Sequence, residues 1–175
     1  MLIRHAEIPD GGLGQLSCQG LNHALLLPGY FKTNFPKPDY IFAPNPGDKV
    51  KEIHFDGSYY SYVRPLVTIE PTAIALKMPV NTEIGYTEEN RFVNTLLQEK
   101  YHGATIFAAW EHEHLMLIAQ RFLKKFGNAA VIPHWSEHDF NTVYVFTIDW
   151  NKKPATIDFK IKNQGFKNIS TVCPD

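Results

Sequence analysis

Three short runs of uninterrupted apolar character constrain this chain more than any other feature. Leu2-Ile3, Tyr40-Ile41-Phe42-Ala43 and the stretch from Ala104 to Trp110 all lack apolar–polar alternation. Each stops at polar or turn-forming residues: Arg4-His5, Pro44-Asn45-Pro46-Gly47 and Glu111-His112. A strand apolar on both sides must be covered on both faces, which is the situation of central strands in a parallel sheet flanked by helices. Helical periodicity fills the intervals, over residues 20–27, 66–76 and 115–126. In the last of these Leu115, Ile118, Ala119, Phe122 and Leu123 share one face, and Gly127 stops the helix. Pro65 suits a first helical position, whereas Pro71 predicts a kink within the second helix.

The tail follows a different rule. Ile157, Phe159 and Ile161 alternate with Asp158, Lys160 and Lys162, after Val143, Val145, Ile148 and the turn Asn151-Lys152-Lys153-Pro154. That pattern predicts an antiparallel hairpin with one wet face, added at the sheet edge. The expected fold is an α/β protein, a three-layer α/β/α sandwich with a mainly parallel sheet and an antiparallel C-terminal hairpin. At 175 residues, with no repeat or linker-like tract, residues 1–175 read as a single domain.

A net charge of -1 gives no electrostatic reason to expect nucleic acid or a membrane surface as partner. No apolar run approaches the roughly 18 residues of a spanning helix, and the N-terminus lacks signal-peptide character. Cys18 and Cys173 stand far apart and in no metal spacing. Two free thiols are the expectation, and with them a cytoplasmic location.

Function enters through four basic residues. In a parallel α/β sheet ligands bind beyond the carboxyl ends of the strands. Arg4 and His5 follow the first strand, His112 follows the later apolar strand, and Arg64 opens a helix. Two guanidinium groups, two imidazoles and a helix N-terminus make a site for a compact dianion. A neutral imidazole there can attack phosphorus and form a phosphohistidine. His23, His54 and His102 sit in polar surroundings and read as solvated. The His112-Glu113-His114 run offers a rival reading, because a His-x-His pair on a strand points both rings to one face, as at some metal sites. His134, His138 and Asp139 would be its further ligands.

Four blocks in order resemble the histidine phosphatase superfamily, also called phosphoglycerate mutase-like. Leu2-Ile3-Arg4-His5-Ala6-Glu7 resembles its arginine-histidine-glycine opening, with Ala6 in place of the glycine. Leu16-Ser17-Cys18-Gln19-Gly20, the segment from Arg64 to Ala73, and Phe107 to His112 resemble the three blocks that follow. The resemblance covers roughly the first 125 residues. It implies His5 as the phosphoryl-accepting nucleophile, Arg4 and Arg64 as phosphate ligands, and His112 as a further contact to the transferred group. It requires no metal and no cofactor. For the proton donor it implies Glu83 first, with Glu113 as the alternative; Glu113 and His114 also stand where substrate would be contacted. The chain lacks the insertions of the glycolytic mutases, so the implied activity is hydrolysis of a small phosphorylated substrate. The alternative is an inactive relative that binds a phosphorylated ligand or a protein partner. Residues 10–15, 47–62 and 83–91 are the loops expected to choose the substrate, the second as a long loop over the pocket.

Overall fold

The computed structural model describes residues 1–53 and 55–174. Its elements are β1 (Leu2–Arg4), α1 (Cys18–Asn34), β2 (Tyr40–Phe42), β3 (Lys49–Lys51), β4 (Tyr59–Ser61), α2 (Arg64–Leu76) and β5 (Val80–Asn81). There follow α3 (Glu89–Leu96), a 3-10 turn (Glu99–Tyr101), β6 (Ile106–Trp110), α4 (His112–Lys125), β7 (Thr142–Asp149) and β8 (Thr156–Asn163). Six strands form one sheet in the order β5-β2-β6-β1-β7-β8. β5, β2, β6 and β1 run parallel; β7 pairs antiparallel with β1 and β8 with β7. The expected α/β sandwich with an antiparallel terminal hairpin is what forms.

The uninterrupted apolar runs feed two cores at once. Leu2, Phe42, Ala108, Trp110 and Tyr144 pack on one face against α3 and α4. Their sequence neighbours Ile3, Ile41, Phe107, Ala109 and Val143 pack on the other against α1 and α2. Side chains alternate between faces with a period of two, so a strand flanked by helices needs apolar residues at every position. Each large side chain so covered contributes about 1.5–3 kcal/mol.

Helix α1 brings its buried stripe, Gly20, His23, Ala24, Leu27 and Phe31, onto the sheet. Ser17 caps it, accepting from the Gly20 N–H at 3.1 Å. A Cβ on Gly20 would lie 2.2 Å from the Glu7 carbonyl oxygen, so the helix passes the exit of β1 at a distance only glycine allows. Helix α2 continues through Pro71 to Leu76. It begins at Arg64 with Pro65 in its first turn, so Arg64 opens the helix as the sequence predicts.

Several expectations are corrected. Lys49–Lys51 and Tyr59–Ser61 pair as a β3–β4 hairpin within the stretch read as a loop. Cys18 and Cys173 are joined in a disulfide, with Cα atoms 4.5 Å apart across a sequence separation of 155. The argument from free thiols to a cytoplasmic location therefore lapses. His23 is not solvated: it is 1% exposed, with Nδ1 3.0 Å from a Glu7 carboxylate oxygen and Nε2 2.8 Å from Gln164 Oε1. His102 is exposed, its ring stacked on Trp150 at 3.5 Å, and His54 lies outside the described residues. Among the described residues, no helix is long and apolar enough to cross a membrane.

Candidate active site

Register assembles the site. Arg4 pairs with Trp110 across the parallel β1–β6 ladder, and the His5 N–H continues it to the Trp110 carbonyl at 2.8 Å. Arg4-His5 and Glu111-His112 are thereby set side by side at the carboxyl end of the sheet. The Ala6 N–H donates to Thr68 Oγ1 at 2.9 Å, and that hydroxyl donates to the Arg64 carbonyl at 2.8 Å, tying the His5 segment to α2.

His5 is 2% exposed, and its Nδ1 lies 2.8 Å from the Ala6 carbonyl oxygen. A carbonyl only accepts, so Nδ1 carries the proton and Nε2 keeps its lone pair. Burial, reinforced by the Arg4 and Arg64 charges, brings the His5 pKa down to about 3. The ring is thus neutral across the physiological range, with its nucleophilic nitrogen free.

Both arginines are buried and held. Arg4 lies 4.1 Å above the Phe140 ring, and its Nη1 donates to the Glu137 carbonyl at 2.5 Å. Phe140 is steadied in turn, because Gln164 Nε2 donates to its carbonyl at 3.2 Å while the same amide faces His23. Arg64 Nη2 is paired with the Glu52 carboxylate. Burial and the Arg4 charge lower the Arg64 pKa to about 10, which leaves it a cation at neutral pH.

Glu52 is the residue that sequence reasoning missed. It leaves the end of β3, is 5% exposed, and accepts the Gly14 N–H at 2.9 Å as well as Arg64. Gly12 and Gly14 both hold positive φ, +71° and +67°. A Cβ on Gly12 would lie 2.3 Å from the Glu52 carboxylate, and one on Gly14 2.1 Å from the Ser61 carbonyl oxygen. The Gly14 carbonyl accepts the N–H groups of Val63 and Arg64 at 3.0 and 3.1 Å. A glycine loop and a hairpin therefore close around one carboxylate and one guanidinium. Nothing local in the sequence signals this, because the contact spans residues 12 to 64.

His112 opens α4, its Nδ1 abutting the Glu111 carboxylate. Burial alone would raise the Glu111 pKa; the His112 ring, the His114 N–H and His5 outweigh it and hold Glu111 at about 2. His114 points its Nδ1 at Glu89 Oε1, 2.5 Å away, and Glu89 also meets Arg121 at 3.4 Å. The strand has ended at Trp110, so His112 and His114 lie on a helix and not on one face of a strand. Each ring turns to a different carboxylate. Among the described residues, no group of three or more His, Cys, Asp or Glu is placed to hold a metal ion. The metal reading loses its geometric basis.

Arg4, His5, Arg64, His112, Glu113 and His114 line one cavity of about 620 Å³. Glu83 does not join them. It is exposed and lines a separate cleft with Asp48, Lys49 and Arg91, because β5 is the edge strand of the sheet, with β2 and β6 between it and β1. Of the two proposed proton donors, only Glu113 faces the site. Tyr62 also lines the cavity, its ring edge-on to His5 at 6.2 Å, and burial raises its hydroxyl pKa well above the usual value. No protein-family model matches this chain, and no curated protein matches it.

Proposed function

We propose that this chain is a metal-independent phosphomonoester hydrolase of the histidine phosphatase type. The observation that carries the reading is the neutral His5, its Nε2 lone pair free, between two buried guanidinium groups in a single cavity. In the first step Nε2 attacks phosphorus, the P–O ester bond breaks, and the leaving oxygen takes a proton from the Glu113 carboxyl. In the second step water attacks the phosphohistidine, the Glu113 carboxylate takes its proton, and the P–N bond breaks to release phosphate. Arg4, Arg64 and His112 neutralise the charge on the non-bridging oxygens through both steps.

A second reading, a non-catalytic relative that binds a phosphorylated ligand, draws on the internal Arg64–Glu52 pair, which occupies one edge of a phosphate-binding guanidinium. The deciding assay is hydrolysis of an aryl phosphate in the presence of chelator, wild type against His5→Ala. Turnover unaffected by chelator and reduced at least about a thousandfold in the variant is expected. Activity surviving in His5→Ala overturns the mechanism. Phosphate binding without turnover by the wild type selects the non-catalytic reading.

A further inference from the structure

The cavity has two chemically distinct ends. One is the cationic cluster around His5. The other is formed by the β3–β4 hairpin and the segment after β1, where Ile8, Val50, Ile53 and Phe55 line the wall, with Phe140 beneath Arg4. Ile53 and Phe55 are 67% and 42% exposed, while their neighbour Glu52 is buried against Arg64. The hairpin thus turns one carboxylate inward and leaves two large apolar side chains in water at the mouth. Isolated exposed apolar residues are common on proteins. Here they converge on a cavity whose size falls within the roughly 300–1,000 Å³ of small-molecule sites, and water is expelled from them only when a ligand body lies there.

The charged rim narrows the ligand further. Among the described residues, Glu113 and Glu137 line this cavity as exposed carboxylates against Lys51 as the exposed cation. A second anionic group on the substrate would meet more negative than positive charge. We propose, on the basis of the phosphatase reading above, that the site takes phosphomonoesters whose leaving group is apolar and uncharged, with Ile53 and Phe55 as its specificity-determining wall.

Three esters separate the possibilities: n-hexyl phosphate, glycerol 1-phosphate and 3-phosphoglycerate. All are primary aliphatic monoesters, and the first two have closely similar leaving-group chemistry, differing mainly in the polarity of the body. The expected order of kcat/KM is hexyl, then glycerol, then glycerate, with hexyl favoured over glycerol by about tenfold or more. In the double variant Ile53→Ser/Phe55→Ser that ratio falls to about threefold or less, through loss of hexyl phosphate turnover. Both side chains are exposed, so the variant keeps its fold; thermal unfolding verifies this. His5-dependent turnover with a hexyl-to-glycerol ratio near one overturns the inference and leaves the phosphatase reading standing. A high ratio that survives in the double variant also overturns it, because the wall then lies elsewhere. Absence of His5-dependent turnover on every ester removes the phosphatase reading, and this inference with it.

Discussion

Separating Glu52 from Arg64 is the sharpest physical test of how this site is held. Their side chains are 6% and 7% exposed, so solvent screens the pair little. Removing one partner strands the other as a buried, uncompensated charge, which costs about 3–5 kcal/mol. Glu52→Gln also weakens the acceptor for the Gly14 N–H, a buried bond whose loss costs about 1 kcal/mol more. For a chain of this length each kcal/mol lowers Tm by about 2–4 °C, so Glu52→Gln is expected to melt roughly 8–24 °C below wild type. Arg64→Met should cost a comparable amount, since it strands Glu52. The double variant, with neither charge, should be more stable than the sum of the single losses implies, by about 2–4 kcal/mol. Urea denaturation of all four proteins at pH 7 closes the cycle. Losses that add to within about 0.5 kcal/mol refute the reasoning, because residues in direct contact must couple.

Three further outcomes follow from particular contacts. The folded His5 pKa, about 3, lies below the ordinary 6.5, so the unfolded chain binds the extra proton between those values. Stability from this group is therefore complete above about pH 6.5 and is lost as pH falls toward 3, by up to about 1.4 kcal/mol per pH unit; the slope should flatten in His5→Gln, as read from urea midpoints across that range. Gly14→Ala combines a positive φ with a Cβ placed 2.1 Å from a backbone oxygen, and should lower stability by about 2 kcal/mol or more; a change under about 0.5 kcal/mol in urea denaturation would contradict that contact. Cys18→Ser opens a closure of 155 residues and should cost about 2–5 kcal/mol under oxidising conditions, with no difference from wild type once the wild type is reduced.

What the sequence reveals depends on whether a feature is periodic or assembled. The central strands were legible because burial on both faces leaves no alternation, and the terminal hairpin because burial on one face imposes it. Arg4, His5, Arg64 and His112 were placed together by a rule about strand ends, and they share one cavity. Helix α3 was missed because Phe92, Val93 and Leu96 are its only large apolar residues among polar ones. His23 was misread, although it stands three residues after Gly20 and four before Leu27 on the buried stripe of α1; its periodicity was visible and its polarity misled. The disulfide and Glu52 had no local signal, since each contact joins segments that only the folded chain brings together. Glu83 failed for the opposite reason: it was chosen by resemblance, and topology carries it to another edge.

The placement of β1 at the centre of the sheet bears on when this site can first exist. The strand that delivers His5 is synthesised well before its sheet neighbours, β6 and β7. The Met1 amino group already bonds the Ile106 carbonyl, 105 residues downstream. At about 5–20 residues per second, a ribosome leaves β1 without either neighbour for roughly 5–20 s. Through that interval the nascent chain carries His5 unburied and apart from His112, as an ordinary solvated imidazole. The site is assembled late, so any activity of the proposed kind appearing during synthesis would report the pairing of β1 with β6 and not the folding of a single segment.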